Sequence, residues 1–387
     1  MLIGIPKEIM SGEKRVAGNP EAVRKIIGMG FPVVVESGAG AGIYADDDKY
    51  RDAGATVVPT APEVFAAADI ILKVKQLGFN STTETHEADM MRPGTMLVTF
   101  MHPASPTSHD VVLKLKERNI TSFTMDGIPR ISRAQAMDAL TSMSTVTGYK
   151  AVIHAACLLP VFVPMMGTAI GMLKPARFLV VGCGVVGLQA LATAKRLGGV
   201  TTCVDIRPDA REQGKSLGAK VEEFEVPVEL AMGEGGYARA LPEEWLDRER
   251  QALALLVEDA DVVVLSALVP GEVAPILVTR EMVSRMRPGS VVVDIAIDQG
   301  GNCEATQPGK EIVVNDVTVS GIQNVPGSVP VHATHLYAIN MVNFLSNLFP
   351  AGPAKVNWDD EIVRATLVTH EGRIVHEGTL KALASGN

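Results

Sequence analysis

The stretch FLVVGCGVVGLQALATAKRLGGVTTCVD, residues 178–205, decides the fold, because its parts read in turn as strand, turn, helix and strand. Residues 178–181 are a short apolar run. Gly182, Gly184 and Gly187 form G-x-G-x-x-G, residues 188–197 have helical character, and residues 200–204 return to β-branched side chains. Each glycine has its own physical task in such a unit. Gly182 permits the tight turn, Gly184 lets the backbone approach a pyrophosphate, and Gly187 lets the helix pack close to the strand. The phosphates then sit at the positive helix N-terminus, where Val185 and Val186 join the glycines as candidate dinucleotide-binding residues. Asp205, at the tip of the second strand, stands about 20 residues on, where a carboxylate accepts hydrogen bonds from a ribose 2′-OH and repels a 2′-phosphate. That favours NAD(H) over NADP(H). Arg207 is a side chain able to meet a 2′-phosphate, but the carboxylate weighs more. A lone G-x-G-x-x-G is a weak signal; the strand before it, the helix after it and the spaced acid make this one specific.

Working outward, the same alternation recurs. Residues 2–5 and 32–36 read as strands around a helix at 20–28; residues 61–68 and 108–117 read as helices, and 70–74, 96–100 and 121–125 as strands. After the glycine unit, further strands are expected at 261–265, 290–295 and 311–315. The fold class is therefore α/β, with doubly wound sheets. The expected domains are residues 1–133, rejoined by 330–387, and residues 134–329, which bind the dinucleotide and include a linking helix. A long helix is expected at 332–348. The tail TLVTHEGRIVHEG reads as a hairpin turning at Glu371-Gly372 and rejoining the first domain. Ligands of open parallel sheets sit at the carboxyl ends of the strands, which places Ser266, Ala267, Leu268 and residues 296–301 toward the cofactor.

With 387 residues and 47% hydrophobic content the chain can bury large cores in two or three domains. A formal net charge of −9, with dispersed Lys and Arg, gives no footprint for nucleic acid. The start MLIGIPKEIM reads directly as a strand without a charged leader and long apolar core, so a cytoplasmic protein is expected. The most apolar segment, residues 151–172, contains His154, Pro160, Pro164 and glycines, and reads as a buried helix followed by a loop rather than a membrane span. The four cysteines, Cys157, Cys183, Cys203 and Cys303, lack C-x-x-C spacing and lie in apolar or glycine-rich settings suited to buried thiols. Neither disulfides nor a metal site are indicated.

Several polar residues follow apolar segments, where side chains converge on a ligand. Arg15 can clamp a carboxylate, Lys75 can polarise a carbonyl and His102 can exchange a proton; the bland alternative is solvated charge, with Lys75, two residues after Lys73, reading by default as an exposed lysine and His102 equally well as a satisfied structural histidine. Asp298, in VVVDIAIDQGGN, precedes two glycines that permit close approach to a ligand. Arg130, Gln135 and Asp138, in PRISRAQAMD, form a polar set that a packed helix start also explains. The glycine-rich loop at residues 232–237 carries Tyr237 and reads either as a surface loop or as a lid over the cofactor.

Over nearly its whole length the chain resembles the alanine dehydrogenase and pyridine nucleotide transhydrogenase family, and most of all the soluble NAD(H)-binding alpha component of proton-translocating transhydrogenase. PRISRAQAMDAL is similar to the loop whose arginine, glutamine and aspartate hold the nicotinamide end in that component, which implies this role for Arg130, Gln135 and Asp138. GLQALATAKRLGG, EGGYARALPEEW, with Tyr237 on the family's mobile loop, and THEGRIVHEG resemble the same component. AIDQGG and NVPGSVP look instead like alanine dehydrogenase, where Arg15, Lys75, His102 and Asp298 match the substrate-binding and catalytic set; the transhydrogenase component usually carries glutamate in place of Asp298. Either branch implies two Rossmann-like domains flanking a cleft, with the C-terminal segment packing back on the first, and a homo-oligomer, dimer or hexamer. The transhydrogenase branch further implies NADP(H)-binding and membrane proton-channel subunits as partners, with this chain peripheral to the inner membrane through them. Hydride would pass from NADH to NADP+ on the separate subunit. The competing readings are an NAD-dependent amino-acid dehydrogenase acting on an amino acid or oxo acid, and a nucleotide-sensing module without turnover.

Overall fold

The computed structural model describes residues 1–233, 238–269 and 273–385. The chain divides into two compact units, Met1–Met143 with Pro326–Asn387, and Ser144–Val325.

The first unit is built on an eight-stranded sheet, in the order Arg373–Ile374, Leu367–His370, Thr121–Thr124, Met96–Thr99, Ile70–Leu72, Ile3–Ile5, Val33–Glu36 and Thr56–Val58. From Thr121–Thr124 to Thr56–Val58 every pairing is parallel, and the order reverses at Ile3–Ile5, as in a doubly wound sheet. The two remaining strands come from the C-terminal tail. Leu367–His370 pairs antiparallel with Thr121–Thr124 and with Arg373–Ile374. Between them, Glu371 (φ 49°) and Gly372 (φ 68°) take the two positive φ values that a two-residue hairpin turn requires. The first helix, Pro20–Gly28, shows why local sequence sets its limits. Asn19 accepts from Ala22 N at 2.9 Å as its N-cap, and proline at the first position costs no internal hydrogen bond.

The second unit holds a seven-stranded sheet in the order Lys220–Val221, Val200–Val204, Arg177–Val181, Val262–Leu265, Val291–Asp294, Val317–Ser320 and Glu311–Val314. Its order reverses beside Arg177–Val181. Phe178 and Val180 face one core cluster, with Ala190, Leu191 and Ala194 of the helix Val185–Arg196, while Leu179 and Val181 face another, with Leu253 and Val257 of the helix Glu243–Asp259. Burial on both faces explains why these strands are continuous apolar runs rather than alternating ones.

Several expectations are corrected. Glu311–Val314 does not continue the parallel series; it pairs antiparallel with Val317–Ser320 across Asn315 (φ 46°) and Asp316 (φ 61°). The turn is a two-residue hairpin written in residues that tolerate left-handed backbone. In the expected helix-and-loop segment 151–172, the helix Ala139–Leu158 ends and is followed by a short hairpin, Met166–Thr168 and Gly171–Leu173, whose residues are all exposed. Of the cysteines, Cys183, Cys203 and Cys303 are buried but Cys157, near the end of that helix, is exposed. No helix among the described residues is long and apolar enough to cross a membrane.

Candidate functional site

In the second unit the three glycines of the turn differ in what surrounds them. Gly182 has φ 88°, and a Cβ there would lie 2.8 Å from Ala267 N and from Ser266 C and O. At Gly187 a Cβ would stand 1.9 Å from Gly182 O, so only glycine lets the helix start this close to the strand. Gly184 is the opposite case: a Cβ would meet only Arg207 Nη2, at 4.0 Å. No side chain caps the helix Val185–Arg196 at Gly184. Its first amides, from Val185 and Val186 onward, point along the helix axis as unmatched donors. An open backbone face beside a helix N-terminus fits a pyrophosphate.

Asp205 is 5% exposed and fully engaged. Its Oδ2 accepts from Cys183 N at 2.7 Å and from Arg207 Nη2 at 2.9 Å; its Oδ1 accepts from Arg207 N at 2.8 Å and Nε at 3.1 Å. The acid and the arginine thus form one unit that also holds the glycine turn. A ribose hydroxyl reaching Asp205 shares that carboxylate with Arg207, or displaces it. Ala267 and Leu268 follow the strand Val262–Leu265 and are half-buried.

Two residues that hold this rim were not singled out from the sequence. Asn302, fully buried, donates to Ala267 O (2.9 Å) and Pro275 O (2.8 Å) and accepts from Ala267 N (3.0 Å). Asp294, at the end of its strand, accepts from Ala296 N (3.1 Å), Asn302 N (2.9 Å) and Cys303 N (3.0 Å). Their mark in the sequence is an acid ending an apolar run and an asparagine just after Gly300-Gly301. Asp298 is exposed, and its Oδ1 accepts from Gln323 Nε2 at 2.7 Å. Tyr237 lies outside the described residues.

In the first unit Arg130 and Gln135 are exposed, Gln135 within the 3-10 helix Ser132–Met137. Asp138 starts the following helix: its carboxylate accepts from Thr141 N (2.8 Å) and Thr141 Oγ1 (2.6 Å), the bonds of an N-cap. Arg15 is buried and holds Glu13 with two fork atoms, Nε to Oε1 at 2.8 Å and Nη2 to Oε2 at 2.5 Å. Burial pushes Glu13's carboxyl up, but Arg15, and then Lys75, hold it below the usual carboxylate range. Lys75, expected as a plain exposed lysine, is half-buried. Its position is set by Glu8, which accepts from Val74 N (2.6 Å) and Lys75 N (3.3 Å), while the fully buried Lys73 bridges Glu87 (2.6 Å) and Glu8 (3.6 Å).

His102 is 61% exposed and has φ 47°, an uncommon backbone for a residue with a Cβ. Asp126 maintains that conformation. Its Oδ2 accepts from Met101 N (3.0 Å) and His102 N (2.7 Å), and the Thr124 hydroxyl donates to it as well. His102 Nδ1 lies 2.8 Å from Asp126 Oδ1, so the ring and the carboxylate pair directly. Burial would raise the Asp126 carboxyl; His102 and Thr124 outweigh it and hold it low. The structure therefore pairs Arg15 with Glu13, the Lys75 backbone with Glu8, and His102 with Asp126. No cluster of His, Cys, Asp and Glu among the described residues suits a metal ion.

Two domain models of one family cover most of the chain, the second running on from the second unit into the C-terminal part of the first. The N-terminal domain model of the alanine dehydrogenase/PNT family matches residues 4–147, and its C-terminal domain model matches residues 151–377. An NAD(P) transhydrogenase subunit alpha chain of Rhodospirillum rubrum is 44% identical over 381 residues, covering 97% of this chain and 98% of that protein. The alanine dehydrogenase of Bacillus subtilis is 30% identical over 397 residues, covering 99% and 95%. The crystal structure of transhydrogenase from Sinorhizobium meliloti superposes with a TM-score of 0.83 at 39% identity, covering 97% of this chain and 99% of that one.

Proposed function

The chain belongs to the alanine dehydrogenase/PNT family, and on that premise we propose that it is the NAD(H)-binding subunit of a proton-translocating NAD(P) transhydrogenase. The observation that carries this reading is the 44% identity to a transhydrogenase subunit alpha chain across essentially the full length of both proteins, against 30% to an alanine dehydrogenase. When bound, NADH supplies the hydride. The chain's own residues bind, orient and exclude water. The amides that open the helix at Gly184, Val185 and Val186 hold the pyrophosphate, Gly182 and Gly187 keep that turn tight, and Asp205 with Arg207 reads the adenosine ribose. Ala267, fixed through Asn302, and Leu268 flank the dinucleotide. Arg130, Gln135 and Asp138 orient the nicotinamide.

The partners under this reading are an NADP(H)-binding subunit and membrane subunits that couple transfer to proton movement. The chain itself forms a homo-oligomer, a dimer, through its exposed hairpin, where Met166, Ile170, Met172 and Leu173 present apolar side chains to solvent, Ile170 being 99% exposed. A second reading, an NAD-dependent amino-acid dehydrogenase, is favoured by one observation: Arg15, Lys75 and His102 are each held by a buried or partly buried carboxylate, Glu13, Glu8 and Asp126 in turn. A panel of amino acids with NAD+ separates the two. The transhydrogenase subunit binds NADH and reduces no NAD+ with any amino acid, but transfers hydride once an NADP(H)-binding partner is added. Turnover with alanine or a relative, lost in His102→Ala, refutes the first reading.

A further inference from the structure

The segment that carries Gln135 has little shape of its own. It is a 3-10 helix of six residues, Ser132–Met137, longer than such helices usually run. Ala134 and Met137, three apart and so on one edge, are buried, which turns Gln135 outward. A backbone bond from Asp138 N to Gln135 O, at 3.3 Å, closes it. The next carbonyl, that of Ala136, is taken by side chains: Asn340 Nδ2 donates to it at 2.9 Å and Asn343 Nδ2 at 3.1 Å. On the other side of Gln135, Arg133 donates from Nη1 to Asn347 Oδ1 at 3.2 Å, and its Nη2 lies 2.9 Å from Asp360 Oδ2 and 3.0 Å from Glu361 Oε1. Asn347 donates in turn to Asp360 Oδ1 at 3.0 Å.

Three of these partners come from one face of the helix Pro330–Leu348. Asn340, Asn343 and Asn347 follow the i, i+3, i+7 spacing of a single helical stripe. Asparagine is a weak helix former, so the row opposes the helix that bears it. Asn340 is moreover only 4% exposed, and its Oδ1 meets no donor among the described residues, a loss that a leucine would avoid. Stability of the helix does not account for the row; what its members share is the segment they face.

We propose that Asn340 and Asn343 are positioning residues for hydride transfer: by holding the Ala136 carbonyl they fix where the preceding residue, Gln135, presents its amide. This rests on the reading of Gln135 as a residue that orients the nicotinamide. Neither asparagine has to touch the dinucleotide. Arg133 steadies the other side of Gln135, but with its side chain 45% exposed its ion pairs contribute less than the two amides.

The test uses Asn340→Leu, which keeps the size of the side chain, and Asn343→Ala, singly and together, in the full chain. Trypsin provides a readout that needs no nucleotide, because Arg130 and Arg133, just before and within the segment, are both exposed. Cleavage after them in the unliganded chain should quicken roughly tenfold in the double variant, the change in local opening expected when a carbonyl loses its hydrogen bonds. With an NADP(H)-binding subunit added, single-turnover hydride transfer should slow by on the order of 100-fold, the effect of a misplacement of about 1 Å, while NADH affinity by fluorescence is unchanged. Positioning through Gln135 also predicts that the effects do not add: in a Gln135→Ala background the asparagine substitutions should slow transfer no further. Asn343 is half-buried, so Asn343→Ala, with a smaller slowing of the same kind, decides the matter if Asn340→Leu does not fold. A wild-type rate in the folded variants, or equal slowing with and without Gln135, overturns this inference alone. A wild-type rate in Gln135→Ala, or no transfer by the wild type itself, overturns the reading beneath it and this inference as well.

Discussion

Gly184 and Gly187 are three residues apart in one motif, yet alanine should act on them in opposite ways. At Gly187 the new methyl group would lie 1.9 Å from Gly182 O, a backbone atom that cannot rotate away, so the strand-to-helix turn must open by more than 1 Å. Overpacking of this kind costs about 1–3 kcal/mol. For a unit of this size that lowers Tm by about 2–12 °C. Gly184 has φ −74° and ψ −167°, extended backbone that alanine adopts readily, and its methyl group would meet only Arg207 Nη2 at 4.0 Å. Gly184→Ala should therefore fold as well as the wild type or gain about 0.4–1 kcal/mol from a less flexible unfolded chain. Its cost falls on binding. The methyl group occupies the face a pyrophosphate needs, and losing one charged hydrogen bond, about 1.5–3 kcal/mol, weakens NADH binding about 10- to 150-fold. Differential scanning calorimetry and NADH fluorescence titration on the two variants decide the matter. Wild-type NADH affinity in Gly184→Ala refutes the assignment of that face to the pyrophosphate.

Gln135→Asn should slow hydride transfer in single-turnover mixing with an NADP(H)-binding partner by on the order of 100-fold, while NADH affinity by fluorescence changes little, because a displacement of about 1 Å acts on the rate and not on the pyrophosphate. Ile170→Asp, which places a charge on the exposed hairpin, should shift the chain from dimer to monomer in light scattering and leave its melting curve cooperative. Asp126→Asn should destabilise the first unit by about 1–3 kcal/mol at pH 7. Because the Asp126 carboxyl is held low in the folded chain, its contribution is present above an unfolded value near 4 and is lost as pH falls below it. Denaturant titrations of variant and wild type should therefore converge at acid pH.

Much of this architecture was legible because the local and the global signals agree. The glycine unit announces its strand, turn and helix. The tail hairpin was readable from Glu371-Gly372 between β-branched runs, and the structure pairs it with Thr121–Thr124. What escaped were the elements whose local signal is faint. Thr56–Val58 and Lys220–Val221 are edge strands of two or three residues, too short for a period. Val317–Ser320 was hidden by Asn315-Asp316, a turn pair less conspicuous than one with glycine. The hairpin after residue 158 escaped because exposed apolar residues read as buried ones. Single side chains were harder still. Glu249 looks like any charge on a polar helix until Leu253 and Val257 reveal which face turns inward. Lys73 and Lys75 look alike in sequence, yet one is fully buried among carboxylates and the other is not.

One device recurs at four places bearing candidate site residues. Asp205 accepts the amides of Cys183 and Arg207, Asp294 those of Ala296, Asn302 and Cys303, Glu8 those of Val74 and Lys75, and Asp126 those of Met101 and His102. In each case a buried or partly buried carboxylate, which can only accept while ionised, gathers the N–H groups of a loop that would otherwise lack partners. Loops rich in glycine or bent into left-handed backbone have little intrinsic preference for one shape. Charge-assisted bonds from two or three amides, adjacent in sequence at Glu8 and Asp126 and drawn from separate segments at Asp205 and Asp294, select that shape, and losing the carboxylate leaves these donors unmatched at about 1–3 kcal/mol each. For a protein whose proposed task is to present a nicotinamide for direct hydride transfer, with little acid or base chemistry to supply, such rigidity is where rate is gained, since misplacement by about 1 Å costs on the order of 100-fold.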